Sequence, residues 1–132
     1  MRTTTVETDG PIAVVDVTAE AEALVPDTTA GACLVDVPHT TAGVVLNEAE
    51  SNLLDDLAAA LRAVVPEGEY AHDRLDDNAA AHLRASLLGN AAVVPSADGE
   101  FALGTWQAVL LVECDGPRRR TLRVQPLAGA GP

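Results

Sequence analysis

The chain has no lysine, one tryptophan, one tyrosine, one phenylalanine and two cysteines. Each shortage excludes something. All eight basic residues are therefore arginines, set against 20 acidic residues for a net charge of −12, and a surface of that sign repels nucleic acid and anionic membranes. Cys33 and Cys114 lie far apart and fit no CxxC spacing, so neither a disulfide framework nor a cysteine zinc site is available. Both read as small buried hydrophobes. No apolar core follows Met1-Arg2-Thr3-Thr4-Thr5, and the longest uncharged runs, 85–97 and 101–112, are too short to span a bilayer. A cytoplasmic location is the expectation. A glycine-rich phosphate loop is also missing, which leaves arginines, hydroxyls or an ion to hold any anion.

At 132 residues one domain covering 1–132 is expected, with a flexible tail from about 127. Acidic excess, absent lysine and abundant alanine resemble proteins adapted to high internal salt, although GC-rich codon usage favours the same residues. Repulsion among so many carboxylates is screened over only ~10 Å at about 0.1 M salt. Raising KCl towards molar concentrations is therefore expected to raise the melting temperature, and a flat response would refute that.

Arg2 to Thr8 and Ile12 to Val17 read as two strands of an opening hairpin around Asp9-Gly10-Pro11. Thr18 can cap a short helix carrying Glu20 and Glu22 that ends before Pro26, and Asp27 to Gly31 is loop. A strand from Ala32 runs into Val37-Pro38-His39, where proline stops the pairing and places His39 at a strand end. Val44 to Leu46 is another strand. Asn47 or Ser51 can cap a helix whose Leu53, Leu54, Leu57, Leu61 and Val64 or Val65 recur at helical spacing, with Glu50, Asp55 and Asp56 on its solvated side. A second helix is expected from about Asp77 to Leu88, closed by Gly89, with Leu83, Leu87 and Leu88 buried. Beyond Ala91 the period becomes that of strands. Ala91 to Pro95 and Phe101 to Leu103 pair around Asp98-Gly99, and Trp106 to Glu113 and Arg119 to Gln125 are joined at Asp115-Gly116-Pro117. The strand from Trp106, apolar on both faces, should be central and covered on both sides. The class is α+β around a mostly antiparallel sheet.

The sequence has three histidines, His39, His72 and His82. Asn78 and His82 are four residues apart on one helix face, His72 lies in the preceding loop, and three imidazoles with an open position are the ligand set of a catalytic zinc or similar ion. The alternative is that they are separate surface or hydrogen-bonded residues. Arg118, Arg119, Arg120 and Arg123 crowd one stretch. Arg118 and Arg120 share one side of a strand and suit phosphate or carboxylate, or the cluster blunts an edge strand.

The order His39-Thr40-Thr41-Ala42, Asn47-Glu48, Tyr70-Ala71-His72-Asp73, Asn78 with Ala81-His82, Leu103-Gly104-Thr105-Trp106-Gln107 and Glu113-Cys114-Asp115-Gly116-Pro117-Arg118 resembles the YjbQ family, often labelled secondary thiamine-phosphate synthase. The resemblance spans nearly the whole chain. It implies a small single-domain α/β sandwich, a homotrimer, a metal or ligand site on the three histidines, and weak thiamine-phosphate synthase activity. On that basis His39, His72 and His82 are expected to hold a divalent ion, zinc or else magnesium, with Glu48, Asn78 and Asp73 orienting ligands or moving protons. Thr40, Thr41, Arg118 and Arg120 would receive a small phosphorylated molecule or other anion. Two further readings stay open: metal-assisted hydrolysis with Glu48 or Asp73 transferring the proton, and a non-enzymatic metal- or metabolite-binding module.

Overall fold

A computed structural model of the chain describes residues 1–128. The element order is β1 (Arg2–Glu7), β2 (Ala13–Asp16), α1 (Thr18–Glu22), β3 (Ala30–Asp36), β4 (Ala42–Asn47), α2 (Ser51–Val64), α3 (Asp73–Asp76), α4 (Ala79–Leu88), β5 (Ala91–Ala97), β6 (Glu100–Phe101), β7 (Ala108–Glu113) and β8 (Arg119–Ala128). The strands form two sheets, ordered β1-β8-β3-β5-β6 and β2-β7-β4. Every ladder between them is antiparallel. No described helix is long and apolar enough to cross a membrane.

Alternation along the strands explains the layering. Val35, Val94, Leu122 and Val124 of the larger sheet meet Val44, Val109 and Leu111 of the smaller one in a dry core sealed by Val17 and Ala21. The other face of the smaller sheet, through Val112 and Cys114, packs against Ala81 and Ala85 of α4 and Leu61 of α2. β7 is thus the middle strand of its sheet and all six of its residues are buried, as its apolar faces predict. Trp106 falls outside it and is 74% exposed. Both cysteines are free and buried, and burial pushes the Cys114 thiol up to about 11.

Several expectations need correction. The opening strands do not form a hairpin, because β1 pairs with β8 and β2 with β7 in different sheets. The link between them crosses from one sheet to the other, and the Thr8 hydroxyl on that link donates to Glu113 Oε1 at 2.7 Å. The short helix has Val17 at its N-cap and no side-chain cap; Asp16 Oδ1 accepts from the Thr18 amide at 3.0 Å, while the Thr18 hydroxyl accepts from the Val109 amide at 2.9 Å. Helix α2 is capped by neither Asn47 nor Ser51. The Glu50 carboxylate accepts from the amides of Asn52 at 3.1 Å and Leu53 at 2.7 Å, and those bonds hold its pKa below the usual glutamate value. In α4 the buried face is Ala79, Ala80, Ala81, Arg84 and Ala85, whereas Leu83 is exposed and Leu87 is 64% exposed. Small residues win that face because the helix lies close on β4: a Cβ on Gly43 would stand 2.6 Å from the Gly89 carbonyl and 2.9 Å from Leu88 Cβ. Leu127 and Ala128 pair with Ala32 and Gly31 of β3. The rest of the expected flexible tail lies outside the described residues.

The arginine-rich strand is no edge. β8 sits between β1 and β3, so blunting an exposed edge is not what its charges do. Arg119 pairs with Glu7 at 3.2 Å across the β1 ladder, and Arg123 grips Asp36 of β3 through two bonds of 2.9 and 2.6 Å.

Candidate ligand-binding cleft

Beyond the ends of β3 and β7 the chain leaves an open cleft of about 390 Å³. One wall is the loop Pro38 to Thr41. Opposite it stand Asn78 and His82 at the start of α4, and Arg118 and Arg120 close the third side with Asp76 and Asp115. Most of the expected site residues are therefore brought together. They come from three distant segments, and a buried ion pair holds them in place.

That pair is Glu113 and Arg120, both buried. Arg120 Nε donates to Glu113 Oε1 at 2.8 Å, and its Nη2 donates to Glu113 Oε2, to the Thr41 carbonyl at 3.1 Å and to the Thr41 hydroxyl at 2.9 Å. The Thr8 hydroxyl and the Asp115 amide, at 2.7 and 2.9 Å, complete the carboxylate's partners. Burial alone would push Glu113 up, but the hydrogen bonds from Arg120, Asp115 and Thr8 outweigh it and hold the group below 4.5. Arg120 and Thr41 are thus spent on architecture. They shape the cleft from behind and leave anion contacts to Thr40 and Arg118.

Arg118 is half exposed and reaches back to Asp115, with Nε on its carbonyl at 2.7 Å and Nη2 on Oδ2 at 2.9 Å. The same Oδ2 accepts from Asn78 Nδ2 at 3.0 Å. Asp115, unforeseen in the sequence, therefore sets the direction of both its neighbours. The expected companions fare less well. Asp73 uses both oxygens on backbone amides, those of Tyr70 at 3.2 Å and Ala79 at 2.9 Å. Glu48 follows the far end of β4, seven residues or roughly 23 Å of extended chain beyond Thr41, and lines none of this cleft.

His39 accepts the Thr121 amide proton on Nε2 at 2.8 Å. An imidazole that accepts on Nε2 carries its proton on Nδ1 and has no second lone pair to give an ion. His72 packs edge-on against His82, ring centroids 4.7 Å apart, and the orphaned buried atoms nearby are His72 Nε2 and Asn78 Oδ1. Among the described residues no three His, Cys, Asp or Glu side chains are grouped to hold a metal. The three histidines are neighbours, but as folded they do not fit a three-imidazole ion centre.

Burial, and then the charge of Arg120, hold the His39 imidazole below 6.5. The folded chain then binds this proton less tightly than the unfolded chain, so the contribution is present above pH 6.5 and is lost as pH falls through the lowered value. Urea midpoints are expected to drop between pH 7 and pH 5.5 in the wild type and to drop less in His39→Gln, whose amide can still accept from Thr121. Parallel curves would remove His39 as the cause.

Two antiparallel sheets, a layer of helices and an arginine- and histidine-lined cleft at the sheet ends define a small α/β sandwich with a polar cleft. The chain belongs to the family described as UPF0047 protein YjbQ-like, whose model matches residues 2–129. It is 47% identical over 124 residues to a UPF0047 protein of Archaeoglobus fulgidus, covering 93% of this chain and 98% of that one. The UPF0047 protein YugU of Bacillus subtilis is 34% identical over 128 residues, covering 95% and 97%. Among solved structures, a hypothetical protein of Aeropyrum pernix superposes with a TM-score of 0.91 at 40% identity, covering 97% of this chain and 98% of that one. A YbjQ-like protein of unknown function from Sulfolobus solfataricus also gives 0.91, at 36% identity and coverage of 97% and 96%.

Proposed function

We propose that the cleft binds a small phosphorylated molecule and supports slow group transfer of the thiamine-phosphate synthase kind. The observation that carries this is the convergence of donors on one open space in a chain of net charge −12: the His39 Nδ1–H, the exposed Thr40 hydroxyl and the half-exposed Arg118. Such a patch is where an anion finds attraction. Joining a pyrimidine pyrophosphate to a thiazole phosphate requires at least one phosphate to be held, and this donor set can hold one. With no glycine-rich loop to cradle a second, turnover should be slow. Metal-assisted hydrolysis is less well served, since Asp73 is occupied by backbone amides and Glu48 is remote.

In this reading the chain works in the cytoplasm as a homotrimer, which would cover the exposed apolar residues Leu83, Leu87 and Val64. Light scattering that gave the mass of one chain would refute the trimer. The binding test is calorimetry with inorganic phosphate. Arg118 must leave Asp115 to meet an anion, so Arg118→Ala is expected to weaken phosphate binding by about 1.5 kcal/mol, the lower end for a charged hydrogen bond. Arg118→Lys should restore it only partly. Equal affinities in wild type and Arg118→Ala would remove the anion site. Absence of thiamine phosphate from the two phosphorylated precursors would remove the transfer reaction.

A further inference from the structure

A second cleft of about 290 Å³ lies on the other side of Asn78 and Asp115. We propose that it is a binding site for a small carboxylic acid with an apolar body, separate from the phosphate cleft, and that Glu67 occupies it when the acid is absent. The core of the site is Arg84, which is 4% exposed. Its Nε and Nη2 donate to one carbonyl, that of Val65, at 3.0 and 2.7 Å. Among the described residues its one carboxylate partner is Glu67, met by Nη1 at 3.3 Å, and the Glu67 side chain is 84% exposed. A buried guanidinium is ordinarily matched by a carboxylate that is itself held in place, as Arg120 is by Glu113. Arg84 instead has a loop carboxylate at long range, sharing one bond with solvent.

Around that loose pair the cleft has the rest of a carboxylate site. Arg62 lines it and has no ion pair among the described residues. Pro11, Ile12 and Pro66 supply apolar wall. Asp77 and Asp115 also line the cleft; Asp77 is exposed, and Asp115 is paired with Arg118 and accepts from Asn78. A carboxylate entering between Arg62 and Arg84 would take the place of Glu67 on Nη1, and its hydrocarbon would cover the prolines and the isoleucine. A carboxylate is favoured over phosphate because the internal occupant is one.

The test is a titration of sodium butyrate into the ¹⁵N-labelled full chain, followed by backbone amide shifts. Saturable shifts are expected at Ala80, Ala81 and Cys114. Glu67→Gln, an exposed change that should leave the fold alone, removes the internal competitor and is expected to tighten butyrate about fivefold, near the most an exposed ion pair contributes. Arg62→Gln should weaken binding at least as much. The inference is overturned if butyrate gives no saturable shifts in Glu67→Gln, if Glu67→Gln and wild type bind it equally, or if inorganic phosphate binds at these amides more tightly than butyrate. Butyrate shifts at these amides and phosphate binding by calorimetry are measured separately on the wild type, so the two proposals fail separately.

Discussion

Replacing either Glu113 or Arg120 by alanine is expected to cost about 3 to 5 kcal/mol of stability, the range for removing one partner of a buried ion pair. The cost comes from what remains. Arg120→Ala leaves a fully buried carboxylate with only the Thr8 hydroxyl and the Asp115 amide. Glu113→Ala leaves a buried guanidinium whose remaining partner is Thr41. The double variant should lose clearly less than the sum, since the second substitution removes the charge that the first one orphaned. It should still fall below wild type, because Thr8, Thr41 and the Asp115 amide also lose their partners. Urea unfolding of the two single variants and the double variant measures this, and additive losses, or single losses under about 1 kcal/mol, would show that the pair does not act as a unit. Acid works on the same site. Because Glu113 is held below 4.5 in the fold, its contribution is present above that pH and disappears as pH falls through the lowered value.

Gly116→Ala is expected to be nearly as damaging, roughly 3 kcal/mol at the upper end of overpacking costs. A Cβ at Gly116 would stand 2.2 Å from the Gly10 carbonyl, 2.7 Å from Glu113 Cγ and 3.0 Å from the Thr8 hydroxyl. The first of these is backbone of the link that leads into β2. That link cannot retreat, since the Gly116 amide donates to the Pro11 carbonyl at 3.2 Å. Gly104→Ala is the control: its nearest neighbour would be the end of the Gln107 side chain at 3.3 Å, which can move. A Gly116→Ala melting temperature equal to that of Gly104→Ala would refute this account.

The elements were largely legible in the sequence, and their partners were not. Strand alternation and the Asp98-Gly99 turn were enough to place β5, β6 and β7, because period and turn chemistry are local properties. Which sheet β1 and β2 join is decided by contacts such as Thr8 with Glu113, more than a hundred residues apart, and nothing nearby encodes it. Leucines Leu83 and Leu87 misled for a related reason: size suggested burial, yet the face that packs on the sheet is mostly alanine, with Arg84 and Leu88, and α4 comes close to β4 at Gly43. In the cleft, residue types identified His39, Asn78, His82 and Arg118 as members. Their states came from tertiary partners, above all the Thr121 amide that engages His39. Glu113 did leave a signal. It is a carboxylate closing an otherwise apolar, doubly covered strand, and a cation from elsewhere in the chain was needed to match it.

The strand orders also bear on how the chain is made. The middle member of the smaller sheet is β7, and β8 separates β1 from β3 in the larger one, so both sheets wait for strands that are synthesised after residue 107. Until then β3 can pair only with β5, and β1, β2 and β4 have no strand partner. The hairpin of β5 and β6 can close early, but the two cores cannot, and a chain stopped before β8 would present open edges to its neighbours. Completion of both sheets therefore waits for β7 and β8, and truncation before β8 should produce aggregates, where trimming of β1 removes only one strand at the end of the larger sheet.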